Sequence, residues 1–183
     1  MKKQGILLIA AAVILAGGLL AGTWAYFHDE DSTTHTFTMG KVKISLDEPG
    51  WSALEPEEKI LVPAREITKD PTITVEGGSE EAYIRADVVL PGEFADLLEP
   101  LTPGTGWSRG EDGYYYLADT VKKQEADSVL EPIFECMTVR GELTQDALTD
   151  VSASDLEIVI IAYAIQAEGF SDADAAWRAF SSD

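Results

Sequence analysis

The sequence predicts a mainly β protein: a jelly-roll-like β-sandwich with a few short helices, preceded by an export signal. Three observations carry this expectation. Short runs between residues 41 and 166 alternate apolar and polar side chains, which is the period of a half-buried strand. Gly, Pro and acidic clusters separate these runs, as turns between strands require. In the last stretch, residues 171–180, the period changes to that of an amphipathic helix. Roughly seven to nine short strands with turn signals between them suit a sandwich rather than an α/β fold.

Residues 1–25 read as a signal peptide. Lys2, Lys3 and Gln4 supply a positive start, and "GILLIAAAVILAGGLLAG" supplies the apolar run. Small residues at Thr23 and Ala25 place the preferred cut between Ala25 and Tyr26, with a cut before Phe27 as the alternative. The other reading is a retained anchor, since the uncharged run from Gly5 to Phe27 is long enough to span about 30 Å of hydrocarbon. No cysteine stands at the cut for a lipoprotein, and Ala10 occupies the place where a type IV prepilin carries its glutamate. A secreted product, in the extracellular matrix or at the cell surface, is the expectation.

Residues 26–40 form an N-terminal segment and residues 41–183 the β-sandwich domain. "KVKISLDE" alternates Val42, Ile44 and Leu46 with Lys41, Lys43 and Ser45 as a first strand. Residues 48–65, interrupted by Pro49, Pro56 and Pro63, read as a long surface loop. "PTITVEGGSEEAYIRADVVLP" reads as a hairpin about Gly77-Gly78, bracketed by Pro71 and Pro91. A second hairpin is predicted at "GWSRGEDGYYYL", where the triple Tyr114-Tyr115-Tyr116 must face both sides of a sheet.

"PIFECMTVRG" is a further strand, with Phe134, Cys136 and Thr138 on one side and Ile133, Glu135, Met137 and Val139 on the other. "LEIVIIAYAIQ" is β-branched enough for a central strand buried on both faces, although three helical turns are the alternative. Short helical or irregular pieces are expected at "GEFADLLEP" and "ELTQDALTDV". In "SDADAAWRAF", Ser171 and Asp174 resemble a capping box, and Ala173, Ala176, Trp177 and Phe180 share the face that packs on the sheet.

With 183 residues and 45% hydrophobic content the chain can bury a proper core. Its formal charge of −20 repels phosphate backbones, so nucleic acid is not an expected partner. Solubility, or a place in an acidic, cation-bridged matrix, fits that charge. Cys136 is the one cysteine, which rules out an intrachain disulfide and reads as a buried, inert thiol.

Catalytic signatures are sparse. His28 and His35 are seven residues apart without a second metal-binding histidine one helical turn away, so they are weak metal candidates, and no metal site, catalytic residue or cofactor is expected. A Ser-His-Asp triad would need one of the same histidines, and no nucleophile elbow is present. "PGTGWSRG" lacks the lysine of a phosphate loop. The acidic groups at Asp29 to Asp31, Asp47-Glu48, Glu80-Glu81, Glu111-Asp112 and Asp172/Asp174 read as solvated turns, the last also as favourable charge at a helix start.

"GTWAYFHDEDSTTHTFTMGKVKISL" closely resembles the signal-peptide junction and first strand of the TasA/camelysin family, secreted proteins of Gram-positive bacteria. The likeness rests on Gly22-Thr23-Trp24-Ala25 before Tyr26-Phe27, the acidic and Ser/Thr-rich patch, Thr36-Phe37-Thr38, and Gly40 leading into Val42-Lys43-Ile44. "ITKDPTITVEGGSEEAYIRADV" and "IAYAIQAEGFSDADAAW" extend it. The resemblance implies processing by a SipW-type signal peptidase, a jelly-roll domain and, for the TasA branch, a fibre subunit of the biofilm matrix. For the camelysin branch it implies a cell-surface metalloendopeptidase. A surface adhesin that never polymerises is the third reading.

The expected partners are thus further copies of the chain, the signal peptidase, and other matrix or cell-wall components. Cleavage would release an assembly segment in which Phe27, Thr34, Thr36, Phe37 and Thr38 suit strand addition to a neighbour's open sheet edge.

Overall fold

The alternation seen along the chain builds ten short strands in the structure, a computed structural model that describes residues 34–90, 92–148 and 158–180. In chain order they are β1 (Thr34–Met39), β2 (Ile44–Asp47), β3 (Glu66–Thr68), β4 (Thr72–Val75), β5 (Ala82–Val89), β6 (Trp107–Arg109), β7 (Tyr115–Leu117), β8 (Ser128–Val129), β9 (Cys136–Thr138) and β10 (Val159–Gln166). Among the described residues four short helices accompany them: α1 (Pro49–Ala53), α2 (Gly92–Ala95), α3 (Gln145–Leu148) and α4 (Ala173–Phe180). The protein is therefore mainly β with several sheets and few helices, as the sequence predicts. The signal peptide, the Ala25/Tyr26 cut, Phe27 and His28 lie outside the described residues.

Three sheets are formed, ordered β1-β10-β5-β7-β6, β2-β4-β8 and β3-β9. Alternation decides which side chains enter the core. Ile160, Ala162 and Ala164 of β10, Ala82, Ile84 and Ala86 of β5, and Tyr115 of β7 join Ile44, Leu46, Ile73 and Val75 of the three-stranded sheet and Ile67 and Met137 of the smallest one. One contiguous apolar cluster thus ties all three sheets together, which no single sheet could bury alone.

"LEIVIIAYAIQ" is a strand over its described part, residues 159–166, and lies inside the five-stranded sheet between β1 and β5. On its other face Ile165 is as buried as the core-side residues, but Val159, Ile161 and Tyr163 are only half-buried, so that face is covered in part. The hairpin β6–β7 also forms as read, paired from Trp107↔Leu117 to Arg109↔Tyr115 and closed by Gly110 N–H donating to Tyr114 O at 2.8 Å. Its middle tyrosine, Tyr115, points into the core, and Tyr114 and Tyr116 lie on the opposite face.

Five expectations need correction. The proposed hairpin about Gly77-Gly78 does not exist: β4 pairs with β2 and β8, while β5 pairs with β10 and β7. The connection crosses between sheets, held by Gly77 N–H on Asp127 Oδ1 and Gly78 N–H on Gln124 O, because both strands carry an apolar face that a different sheet completes. Residues 48–65 are not all loop. Pro49 starts α1, whose Gly50 and Trp51 N–H groups donate to the carboxylate of Asp70 at 2.8 and 3.0 Å, and Trp51 and Leu61 are buried.

The strand at "PIFECMTVRG" is only Cys136–Thr138, so Ile133 and Phe134 before it are both buried instead of facing opposite ways. Cys136 is half-buried rather than buried. Burial, with the Glu66 carboxylate bonded to it and Glu135 nearby, still pushes its thiol above the ordinary range, so it is protonated at neutral pH. Finally, Asp172 caps α4, its Oδ1 accepting from Ala175 N–H at 2.8 Å, one position later than the capping box read at Ser171.

Candidate functional site

Strand β1 holds the described part of the expected assembly segment, namely Thr34, Thr36, Phe37 and Thr38. It pairs with its own chain's β10, in parallel, from Thr34↔Ile160 to Met39↔Ile165. This is the one parallel pairing in the sheets described; the others are antiparallel. β1 is a marginal strand of the five-stranded sheet, with β10 as its one neighbour. Gly40 ends it at φ +88°, a conformation that favours glycine, and the turn is pinned by Lys41 N–H donating to Gln166 Oε1 at 3.1 Å.

The pairing sorts β1 into two rows. Thr34, Thr36 and Thr38 stand beside Ile160, Ala162 and Ala164, the core-side row of β10. Thr36 and Thr38 are nonetheless exposed, so β1 projects past the edge of the core beneath it. His35, Phe37 and Met39 stand beside Ile161, Tyr163 and Ile165, on the face covered by α4. Phe37 stacks on Tyr163 with ring centroids 5.6 Å apart and planes 19° from parallel, yet it keeps 52% of its surface in solvent.

Tyr163 is itself held in an aromatic cluster. Phe180 of α4 meets it edge-on at 5.6 Å, and Tyr114 meets it edge-on at 6.0 Å. Beneath them runs Arg85 of β5, which is only 6% exposed. Its guanidinium carbon lies 4.1 Å from the Tyr114 ring, 4.4 Å from Trp177, 5.2 Å from Tyr163 and 5.7 Å from Phe180. These ring faces supply negative quadrupole density to a cation withdrawn from water. Burial raises the Tyr163 hydroxyl above its ordinary range, with Tyr114 and Asp87 adding to the effect. No sequence pattern singled out Arg85, because the ring cluster around it depends on α4 folding back.

His35 sits in β1, half-buried, and its partner candidate His28 falls outside the described residues. Among the described residues no three His, Cys, Asp or Glu side chains converge as a metal-binding group. The described donor set therefore does not fit a zinc ion, and no step is derived through one.

The family described as camelysin metallo-endopeptidase matches residues 1–78. That match supports the likeness of residues 1–78 to the TasA/camelysin family. The matched residues include β1, α1 and β4, while Arg85 and the hairpin β6–β7 lie beyond them. No curated protein and no solved structure gives a match.

Proposed function

We propose that the processed chain is a secreted structural subunit of an extracellular (biofilm) matrix, assembling into fibres by strand addition after the signal peptide is removed. The observation that carries this reading is the position of β1. The first described strand, paired on one side only among the described residues, lies against β10 by backbone bonds that another copy's β1 would reproduce residue for residue. If β1 enters the next copy instead of its own, each copy receives one strand and donates one, which does not close and yields a filament. The leader, while attached, withholds the segment from Tyr26 to Thr38.

The test is N-terminal sequencing of the secreted protein with electron microscopy of the same sample. Filaments from a product beginning at or near Tyr26 support the reading. A processed product lacking residues 26–38 that still polymerises normally overturns strand addition. A monomer that persists when concentrated and acidified, where carboxylate repulsion is lost, supports the adhesin instead.

The description of the matched family favours a second reading, a cell-surface metalloendopeptidase. Its test is cleavage of an unstructured protein substrate by the processed chain with added zinc. Activity lost in both His28→Ala and His35→Ala would establish it.

A further inference from the structure

We propose that helix α4 is the clasp that controls release of β1, so that strand addition waits for α4 to lift. The control of assembly rests on the strand-addition reading above; the coupling of α4 to β1 does not. Among the described residues the buried apolar side chains divide into two clusters. Neither β1 nor α4 contributes to the larger one, which ties the three sheets together. Both contribute to the smaller one, where Met39 of β1 and Ala173 and Phe180 of α4 pack against buried Ile165, Ala176 and Trp177.

The large apolar side chains of β1 are Phe37 and Met39, and both rest on ground that α4 helps to make. Phe37 lies on the Tyr163 ring at 5.6 Å, and Phe180 of α4 meets that same ring edge-on at 5.6 Å. Trp177 backs Phe180 at 5.8 Å and reaches across to Tyr116 at 6.4 Å and to the Arg85 guanidinium carbon at 4.4 Å. Thr36 and Thr38, in the other row of β1, are exposed, so Phe37 and Met39 supply its apolar anchorage. Without α4, Tyr163 loses Phe180 and Met39 loses the cluster it packs on.

The helix is placed to open by itself. Its eight residues are too few to persist as an isolated helix, and its apolar hold on the sheet is the one face of Ala173, Ala176, Trp177 and Phe180. The chain turns back into it through Gly169, at φ +96°, while Ala167 N–H on Glu81 O at 2.7 Å pins the end of β10. α4 can therefore lift about this turn without unzipping β10 from β5. A unit outside the main core opens at a lower free energy than the core itself.

Lifting α4 alters rates and leaves the balance alone. A β1 received from another copy would find Tyr163, Ile165 and α4 where its own domain offers them. The clasp closes equally on either strand, so its strength cancels between the two end states and enters the barrier between them.

The experiment uses residues 26–183 as wild type, Phe180→Ala and the milder Phe180→Leu. Amide hydrogen exchange is read by NMR on the dissolved monomer, and the lengthening of preformed fibre seeds is followed by light scattering. In Phe180→Ala the β1 and α4 amides are expected to exchange together about tenfold faster, the loss of one aromatic contact, and in Phe180→Leu about threefold faster. Unchanged amides in β2 and β4 check that each variant is folded. Seeds are expected to lengthen about tenfold faster in Phe180→Ala and to reach the wild-type final mass. Unchanged β1 exchange in the folded variants overturns the clasp, as does faster exchange in α4 alone. Faster β1 exchange with lengthening at the wild-type rate overturns its control of assembly. Fibres absent from wild type, with β1 and α4 still quickening together, sink the strand-addition reading and uphold the clasp.

Discussion

Lys69 and Glu48 form an ion pair almost wholly shielded from water: Nζ lies 2.8 Å from Oε2, with the two side chains 1% and 3% exposed. Trp51 of α1 covers it, its ring 4.4 Å from the same ammonium. The pair and the Asp70 cap together fasten α1 to the β3–β4 corner. Removing one charge from such a site strands the other, so Lys69→Met should cost about 3–5 kcal/mol. Lys69→Met combined with Glu48→Leu should recover most of it, because no charge is then left buried. Urea denaturation of the three proteins checks this, and a single variant as stable as wild type would contradict it.

The Phe37–Tyr163 stack should couple the edge strand to the sheet by about 0.5–1.5 kcal/mol beyond area burial. A double-mutant cycle with Phe37→Ala and Tyr163→Leu measures it. Hydrogen exchange of the β1 amides should accelerate in either single variant, while the amides of β4 stay protected.

Gly104 donates its N–H to Ile133 O at 2.8 Å, and a Cβ there would lie 2.1 Å from Pro132 O. That neighbour is backbone and cannot swing aside. Gly104→Ala should therefore destabilise the protein by about 1–3 kcal/mol, read as a lower Tm. Gly92→Ala, where an added methyl meets nothing, is the control.

The Cys136 thiol, held above its ordinary range by burial and then by Glu66 and Glu135, should be alkylated more slowly at pH 8 than an open thiol. Glu66→Gln removes a raising influence, so it should increase the thiolate fraction and speed alkylation at a given pH. An unchanged rate would leave burial as the whole cause.

The Asp172 carboxylate is held below its ordinary range first by the Ala175 N–H and then by the Ser171 hydroxyl. A depressed folded pKa means that its stabilising effect is complete above the unfolded value and is lost as pH falls through the folded one. The Tm advantage of wild type over Asp172→Ala should thus be constant near neutrality and vanish in acid below the ordinary aspartate range.

Much of the fold was legible because burial follows the period of two. Val42, Ile44 and Leu46 enter the core and Lys41, Lys43 and Ser45 do not, as the sequence pattern requires. Partnering was less legible. The runs at residues 72–75 and 82–89 look like a hairpin since they are adjacent and alternate well, but alternation does not say which sheet completes each face. The strand character of Thr34, Thr36, Phe37 and Thr38 was legible because it lies in one short alternating run. Arg85, Tyr163 and Phe180 come from three separate elements, and the ion pair of Glu48 and Lys69 spans a helix start and a strand end. Such groups become neighbours only through tertiary packing, for which a local pattern has no signal.

The two margins of the five-stranded sheet are unlike. One is the six-residue β1, the other the three-residue β6. Any array built by repeating this unit through its margins would be directional, with a head that differs from its tail, and its two tips would add new units at different speeds.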